Sequence, residues 1–446
     1  MRQLLSFHKI GNHREHSRIY LEGAVLSPLG FAPGTPVAVE HGHRRVTIRV
    51  ASAKIGRYTV SSRRVAGGRR PVLDLNHNGV LAPIFDYAEA KVTGTLGTLV
   101  ITPSIRAFHI RKAFAARPPF GVMEYFCGGG TLSRAFEANP CFKMVGGMEI
   151  EPAFADCWQR THPNSTLIQA DLRIVSPQEV PPYTIGAFGI PCSDHAAPGR
   201  AKKHLQGHPE LGGIGDLYVH VLAHIQYHMP LACLLENVPA FGKSLAGETL
   251  KANLRQIGYH VSEMILCPNA EWNEPSDRRR WVCVATLMPG FAIQSPMAPF
   301  TGTAADYLDV PEPARDKADA TRIATAIAGL KNHHARHSAL GHRFGFTVLN
   351  GSESLIPTIV KSYHKCNIGP FVATPYGPRM LRQAEIERIH GCPVATDHYT
   401  TAVQILGQGV QTRVFTLIAS QLSDFLFNAS NRTPAQVRKA AQLTLF

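Results

Sequence analysis

The sequence lacks an apolar run long enough to cross a membrane. None of its apolar stretches approaches the roughly 18 residues that a transmembrane helix needs. Residues 1–9 carry too short an apolar stretch for a signal peptide. We therefore expect no membrane association and a cytoplasmic protein.

Cysteine pairs at metal-binding spacing are also missing. The nine cysteines are scattered singly, and the absence of any Cys-x-x-Cys pair argues against a zinc ribbon. Their odd number, in a chain without an export signal, indicates free thiols. A group of four histidines has no cysteine or acidic partner at ligand spacing, so we predict a polar loop there and no metal. These are His333, His334, His337 and His342.

The sequence has fewer acidic residues than basic ones. Lys and Arg number 46 against 32 Asp and Glu, which leaves a formal net charge of +14 and a pI of about 9.5. A balance this basic favours a polyanionic partner such as nucleic acid.

Residues 1–115 differ from the rest in their short alternating runs, such as "VAV" at 37–39 and "VTIRV" at 46–50, separated by Gly and Pro. The stretch "AVLSPL" at 24–29 returns as "GVLAPI" at 79–84, an offset of 55 residues. Two copies of a strand-loop-strand unit predict a small β-barrel with pseudo-twofold symmetry. The first copy weakly resembles the AbrB/SymE-type swapped-hairpin barrels, many of which contact nucleic acid. A basic segment from Ile105 to Arg117 is predicted to connect this domain to the remainder.

From Gly121 the pattern changes to strands that alternate with helices, which predicts a parallel α/β sheet. The first strand runs into "CGGG" at 127–130, where glycines allow a tight turn and a close approach to a ligand at the following helix N-terminus. Glu149 ends the second strand and Asp171 the third. These features indicate a nucleoside-binding half-sheet, and by themselves they leave NAD and S-adenosylmethionine equally open.

Reactive side chains follow the next two strands. Pro191 and Cys192 come after the fourth apolar strand, and Glu236 ends the fifth. Because the carboxyl ends of parallel strands form the ligand-binding edge of an α/β sheet, we expect Cys192 and Glu236 to lie close together. The run "SDRRR" at 276–280 precedes another apolar strand and supplies cations for anion contacts.

The order of these elements resembles the DNA cytosine-5 methyltransferase family over roughly residues 121–430. "EYFCGGG" is similar to its glycine-rich first motif, "PC" at 191–192 to its nucleophile loop, and "ENV" at 236–238 to its Glu-Asn-Val motif. "SDRRR" at 276–280, "MLRQAEIERIHGCP" at 380–393 and "GQGV" at 407–410 resemble its later motifs, and "IPTIVKSYHK" at 356–365 its late segment.

Four departures from the family pattern stand out. Glu124 replaces the usual Asp, Ser276 the Gln of the arginine motif, and Gln408 the Asn of the tenth motif. After Cys192 the sequence reads "SDHA" where the family usually has Gln and, a residue later, Phe-Ser. These changes affect the support of the loops more than the reacting groups.

The resemblance implies a Rossmann-like S-adenosylmethionine-dependent methyltransferase sheet, a small N-terminal all-β domain (1–115) and a short variable recognition region. It implies a catalytic domain at 116–290, a target-recognition region at 291–370 and C-terminal helices at 371–446 that complete the catalytic domain. The implied catalytic residues are Cys192, Glu236, Arg278 and Arg280. The implied cofactor-binding residues are Phe126, Gly128, Gly130, Glu149, Ile150, Asp171, Pro191 and Gly409.

The activity implied is methyl transfer from S-adenosylmethionine to carbon 5 of cytosine in double-stranded DNA, with base flipping and a covalent adduct to Cys192. The resemblance also implies a bacterial, phage or plasmid origin and a place at the nucleoid. We expect a monomer, with a role of the restriction-modification kind. Two other functions stay open: a DNA-binding regulator on a methylase-like scaffold with little turnover, and an NAD-dependent enzyme with the same half-sheet. Methyl transfer to DNA separates the first from the family's activity, and cofactor binding separates the second.

Overall fold

The structure is a computed structural model that describes residues 4–13, 16–23, 26–76, 78–84, 89–195, 213–339 and 346–430. The chain divides into two compact units, Met1–Ala115 and Ala116–Phe446. Within the described ranges no helix combines the length and the apolar character that a membrane crossing requires.

Strands of the first unit form two sheets. The strands are β1 (Leu4–Lys9), β2 (Gly11–His13), β3 (His16–Glu22), β4 (Pro36–Gly42), β5 (Arg45–Val50), β6 (Tyr58–Thr59), β7 (Ser61–Val65), β8 (Gly68–Leu75), β9 (Glu89–Thr95) and β10 (Thr98–Pro103). One sheet has the order β1-β9-β10-β5-β4-β6 and the other the order β2-β3-β8-β7. Apolar residues of both sheets, among them Ile19 and Leu73 from one and Val46 and Leu99 from the other, share one buried core.

The internal repeat is visible in this arrangement. The hairpins β4-β5 and β9-β10 occupy equivalent places in the two copies, and β5 pairs antiparallel with β10. In that pairing Val46 lies opposite Ile101, the residue 55 positions further along. An antiparallel pairing that joins equivalent positions is what a local twofold axis produces. Residues 24 and 25 of the first copy lie outside the described residues.

The basic segment expected to connect the two units contains a helix, because residues Ile105–Ala115 form α2 within the first unit (the short α1 spans Asn78–Leu81). The Ser104 hydroxyl accepts the Ala107 backbone N–H at 3.1 Å and donates to Glu89 at 2.7 Å. This N-cap starts the helix, and its single serine was the signal in the sequence.

The second unit is built on a seven-stranded sheet of order β13-β12-β11-β14-β15-β17-β16. Its strands are β11 (Phe120–Tyr125), β12 (Phe142–Glu149), β13 (Thr166–Gln169), β14 (Ile185–Gly189), β15 (Ala232–Asn237), β16 (His260–Leu266) and β17 (Arg280–Thr286), while β18 (Val348–Leu349), β19 (Phe371–Val372) and β20 (Arg379–Met380) form a small separate sheet. The first five strands pair in parallel, as expected, but β17 is antiparallel to both of its neighbours. The connection from β16 to β17 spans residues 267–279 and includes the short helix Pro268–Glu271, and it returns the chain beside β16 in the opposite direction.

Helices of the second unit are α3 (Thr131–Glu137), α4 (Pro152–Thr161), α5 (Leu217–His228), α6 (Pro239–Gly242), α7 (Leu245–Gln256), α8 (Pro268–Glu271), α9 (Pro313–Ala339), α10 (Gln383–His390), α11 (Tyr399–Gln408) and α12 (Thr412–Ser430). In α12 the buried residues Val414, Ile418 and Leu422 recur at helical spacing and face the core.

The histidine-rich loop predicted from the sequence is also wrong over its described part. Helix α9 runs for 27 residues and includes His333, His334 and His337, while His342 lies outside the described residues. The helix is anchored near its start, where Asp316 pairs with Arg379 and Arg382 at 3.1 and 2.7 Å. The charge pattern of the sequence did not show this, because the partners lie more than 60 positions apart.

Candidate active site

The strand order of the large sheet reverses between β11 and β14, so the loops that follow these two strands diverge and leave a crevice at their carboxyl ends. The glycine-rich loop follows β11 and the Pro191-Cys192 loop follows β14. In the parallel pairing Gly189 lies beside Glu236, the next-to-last residue of β15. The sheet thus brings the glycine turn, the thiol and the carboxylate to one edge.

The glycine-rich loop makes an unusually tight turn. Phe126, Gly128 and Gly130 have positive φ angles of 58°, 52° and 87°, a region that glycine adopts freely and other residues only at some cost. Gly129 is constrained differently: a Cβ placed there would lie 2.6 Å from Ile405 Cγ2. The run of three glycines thus combines backbone turning with close packing against α11.

Glu149 ties this turn to the end of β12. Its carboxylate accepts the Gly128 backbone N–H at 2.8 Å and the N–H groups of Ile150 and Glu151 at 2.9 Å each. Ile150 beside it is 60% exposed, an apolar side chain presented at the ligand-binding edge. A left-handed glycine cradle, a fixed carboxylate and an exposed apolar face fit the nucleoside part of S-adenosylmethionine.

Asp171 follows β13 at the same edge and is held by Arg173. Its carboxylate accepts the Arg173 backbone N–H and a guanidinium N–H, each at 3.0 Å. Arg173 in turn pairs with Asp216 at 2.6 Å. Each carboxylate oxygen of Asp171 keeps a lone pair for a further donor such as an adenine amino group.

Hydrogen bonds to backbone carbonyls hold the nucleophile loop on both sides of Pro191. Asn237 donates its side-chain N–H to the Ile190 carbonyl at 3.2 Å, and the His195 N–H donates to the Cys192 carbonyl at 3.0 Å. Asp194, which is fully buried, accepts the Ile214 N–H at 3.1 Å. The residues that depart from the family pattern here therefore anchor the loop; Ala196, the last of them, lies outside the described residues.

Cys192 is a partly buried free thiol within electrostatic range of Glu236, Arg278 and Arg280. Burial raises its pKa above the ordinary value, Glu236 raises it further, and the two arginines oppose that rise. The net shift of the Cys192 pKa is upward, because desolvation is a larger effect than the two arginines.

Glu236 and Arg280 form a direct ion pair, with Oε1 and Nε 2.8 Å apart and both side chains largely buried. Burial raises the pKa of Glu236, and Arg280 and then Arg278 counteract part of the rise. A carboxyl group with a raised pKa, set beside a thiol, can exchange a proton or donate a hydrogen bond to a bound base.

Arg278 is buried, and its guanidinium group donates hydrogen bonds to backbone carbonyls. It donates to the carbonyls of Gly409 at 2.9 Å, Ile359 at 3.0 Å and Gly407 at 2.9 Å. Burial lowers the pKa of this guanidinium well below its ordinary value. Its contacts make Arg278 the junction between the arginine motif and two later segments of the chain.

Two further bonds align the same segments. The Ile356 N–H donates to the Pro275 carbonyl at 2.7 Å, and the Thr358 hydroxyl donates to Asp277 at 2.8 Å. Gly409 also packs against the glycine turn: a Cβ there would lie 2.6 Å from Thr131 Oγ1. Gly409 therefore packs closely against Thr131, the residue that directly follows the glycine turn.

Some residues of this site were not singled out in the sequence. Asn237 stood inside the Glu-Asn-Val motif and Gly129 inside the glycine run, so a signal existed for each. Glu124 was noted only as a departure from the first motif, which did not predict its environment: it is buried, accepts a hydrogen bond from Ser133, and burial raises its pKa to about 7. Among the described residues no group of three His, Cys, Asp or Glu side chains is placed to hold a metal ion.

The sheet with its reversed β17 and the loops at its edge define a Rossmann-like methyltransferase. The family model for C-5 cytosine-specific DNA methylase matches residues 120–424, and the chain belongs to this family.

Three known proteins are similar to the chain. The type II methyltransferase M.Bsp6I of Bacillus sp. (strain RFL6) is 27% identical over 36% of this chain and 50% of its own length, so the chain spans about half of that relative. The tRNA (cytosine(38)-C(5))-methyltransferase of Schizosaccharomyces pombe is 41% identical over 16% of this chain and 20% of its own length. The structure of the Entamoeba histolytica methyltransferase EhMeth superposes with a TM-score of 0.53 at 18% identity, covering 70% of this chain and 99% of that one; this likeness concerns the fold.

Proposed function

We propose that this protein transfers a methyl group from S-adenosylmethionine to carbon 5 of cytosine in double-stranded DNA, through a covalent bond between Cys192 and the base. The observation that carries the proposal is the placement of Cys192, Glu236 and Arg280 at one sheet edge. The strand that leads to Cys192 pairs in parallel with the strand that leads to the glycine turn, so the cluster and the turn that fits the methyl donor follow neighbouring strand ends.

The cofactor side of the site is proposed from the residues around the glycine turn. Phe126 and Ile150 would pack on the adenine, Glu149 would accept the ribose hydroxyls, and Asp171 the adenine amino group. Gly128 and Gly130 shape the turn, while Pro191 and Gly409 hold the walls of the crevice. S-adenosylmethionine, when bound, supplies an electrophilic methyl group.

On the substrate side, the Cys192 thiolate adds to carbon 6 of the cytosine, and carbon 5 becomes electron-rich enough to accept a methyl group. Glu236 would hydrogen-bond ring nitrogen 3 and the exocyclic amine, which stabilises the negative charge pushed into the ring. After methyl transfer a water molecule would take the proton on carbon 5. The electron pair of that C–H bond re-forms the double bond between carbons 5 and 6 as the bond from sulfur to carbon 6 breaks, which restores the thiolate, and the proton on ring nitrogen 3 returns to Glu236. Carbon 6 is inaccessible within a duplex, so the base must flip out first.

The raised pKa of Cys192 has a mechanistic consequence. Because the pKa of the thiol is raised, the mechanism requires that its proton leave before the attack on carbon 6. The pKa of neighbouring Glu236 is raised by burial as well, so its carboxylate is a suitable acceptor for that proton. A proton on Glu236 is then available to ring nitrogen 3. Arg280 would orient Glu236, and Arg278 acts as a positioning residue through its three carbonyl contacts.

Duplex DNA is proposed over tRNA on the match to the DNA methylase family over most of the chain. The net charge of +14 fits either nucleic acid. We assign residues 116–290 and 371–446 to the catalytic scaffold and residues 291–370 to target recognition. Segment 356–359 of the latter is bonded to the arginine motif, so the part free for recognition is shorter. Lys331 and Arg336 in the outer half of α9 give it a basic surface.

The test compares wild type, Cys192→Ala and Cys267→Ala, a control at another partly buried free thiol. Transfer of labelled methyl from S-adenosylmethionine to duplex DNA should vanish only in Cys192→Ala, while calorimetry shows unchanged cofactor affinity. A duplex containing 5-fluorocytosine should trap the wild type covalently, because fluorine cannot leave as a proton does. Full activity of Cys192→Ala would overturn the mechanism, methylation of tRNA in place of DNA would overturn the substrate, and DNA binding without turnover would identify a regulator.

A further inference from the structure

Positive charge is concentrated in the first unit. Residues 1–115 contain 17 Lys and Arg against 6 Asp and Glu, a net +11 out of the chain's +14. The methyltransferase unit therefore carries only +3, although it is almost three times as long. The basic character that suggests a polyanionic partner belongs mainly to the unit outside the family match.

One hairpin of this unit, β7 and β8, extends beyond its sheet. Strand β8 pairs with β3 only from Val72 to Leu75. All of β7, in contrast, pairs with the first part of β8, from Gly68 to Val72. Beyond Val72 the two strands continue as a ribbon, here named the arginine ribbon (residues 61–71), that turns at Ala66 and Gly67. Val72 and Leu73 are buried, whereas residues 61–64 and 66–70 are exposed.

Four arginines lie opposite one another across this ribbon. Arg63 pairs in register with Arg70, and Arg64 with Arg69. Like charges directly opposite on neighbouring strands destabilise a hairpin, so the arrangement needs compensation. For the first pair the structure supplies it: Glu22 lies 3.3 Å from Arg63 and 3.6 Å from Arg70.

The second pair is different. Arg64 and Arg69 project from the opposite side of the ribbon to Arg63 and Arg70. Among the residues that the structure describes, neither has an ion pair with a carboxylate. Asp74, the acidic residue of β8, is itself engaged by Arg18 at 2.9 Å. Within the described part of this unit, two guanidinium groups without a carboxylate partner thus face solvent near the tip of an exposed ribbon.

We propose that the arginine ribbon binds the phosphate backbone of duplex DNA, with Arg64 and Arg69 as the contacting residues. Arginine presents a planar set of donors that matches phosphate oxygens. A two-stranded ribbon fits the major groove of B-DNA, whereas the deep, narrow major groove of duplex RNA does not admit side chains. The choice of DNA rests on the proposed function; the phosphate contact rests on the ribbon itself.

The test uses the full chain and measures binding to a duplex DNA over a series of salt concentrations, without cofactor. Arg64→Gln/Arg69→Gln should bind more weakly and flatten the log–log salt dependence by about 1.8, since each lost phosphate contact removes about 0.9. The matched control, Arg49→Gln/Arg106→Gln, removes the same charge from the same unit, but from arginines already paired with Glu40 and Glu89. Its slope should stay that of the wild type.

Arg64→Lys/Arg69→Lys, which keeps the charge, should keep the slope and shows that the ribbon still folds. An unchanged slope in the Gln variant, or an equal change in the control, would overturn the proposal. Self-association of the Gln variant with unchanged DNA binding would identify the arginines as protection of an exposed strand edge. Tighter binding of duplex RNA than of duplex DNA would overturn the choice of ligand. Methyl transfer is assayed separately, so a loss of slope in a protein without turnover supports the ribbon while it refutes the proposed function.

Discussion

Arg280 Nε lies 2.8 Å from Glu236 Oε1, so the cation at the start of β17 pairs directly with the carboxylate at the end of β15. Burial raises the pKa of Cys192, and the same guanidinium counteracts part of that rise. One side chain thus influences both groups that the proposed mechanism places on the base. Because β17 runs antiparallel to β15, its first residue reaches the edge where β15 ends.

Replacing Arg280 with Gln should make Cys192 less reactive. Without this cation the pKa of the thiol rises further, so at any pH below that pKa the thiolate fraction falls. Iodoacetamide alkylation of Cys192, followed by peptide mass spectrometry, should speed up with rising pH in both proteins, and the profile of Arg280→Gln should be displaced to higher pH. Arg279→Gln, at an exposed neighbour, should match the wild type. A profile displaced to lower pH would contradict this electrostatic assignment.

Glu236→Gln should slow methyl transfer by a barrier of about 2–4 kcal/mol, the usual effect of removing one group that stabilises developing charge. Single-turnover rates with saturating DNA and cofactor measure the effect on the chemical step. The exposed Glu248 provides the control, and Glu248→Gln should react like the wild type. A Glu236→Gln rate within twofold of the wild type would assign this carboxylate a structural role.

Arg278→Gln should destabilise the methyltransferase unit by roughly 3–5 kcal/mol, because three carbonyls lose a charged donor inside the protein. Urea unfolding measures the change, and Arg279→Gln should stay within about 0.5 kcal/mol of the wild type as an exposed substitution. Unchanged stability together with lost activity would instead indicate a direct contact of Arg278 with the substrate.

Glu124 should make stability depend on pH. Burial raises the pKa of its carboxyl from 4.5 to about 7, so the folded state binds the proton more tightly than the unfolded state. This contribution is fully present below about pH 4.5 and is lost as the pH rises through about 7, a change of about 3 kcal/mol at 1.36 kcal/mol per pKa unit.

Glu124→Gln removes the titrating group. The difference in unfolding free energy between this variant and the wild type should therefore shift in favour of the variant as the pH rises from 5 to 8. Urea unfolding at several pH values measures the difference, with Glu151→Gln as an exposed control. A constant difference between wild type and Glu124→Gln across this range would show that Glu124 does not titrate there.

Much of the site could be predicted because its parts are short motifs at strand ends. The glycine run, the Pro-Cys loop and the Glu-Asn-Val motif each follow an apolar strand, and a parallel sheet brings such ends to one edge. The role of Arg278 could not be predicted in this way. Its partners Ile359 and Gly407 are 81 and 129 positions away, and only packing decides which carbonyls a buried guanidinium reaches.

The sequence by itself determined the family, the α/β sheet, the repeat of the first unit and the edge at which Cys192 and Glu236 meet, since periodicity and motif order are local properties. Tertiary structure decided the antiparallel β17, the long helix α9 and the environment of each ionisable group. A pKa depends on which atoms surround a group and how much water they exclude, and those neighbours come from distant parts of the chain. The arginine pairs of the ribbon are local, because Arg63 and Arg70 belong to one hairpin, as do Arg64 and Arg69. Tertiary structure decided that the hairpin extends beyond its sheet and that Glu22 pairs with Arg63 and Arg70 but not with the other two arginines, since these relationships depend on a strand more than 40 positions away.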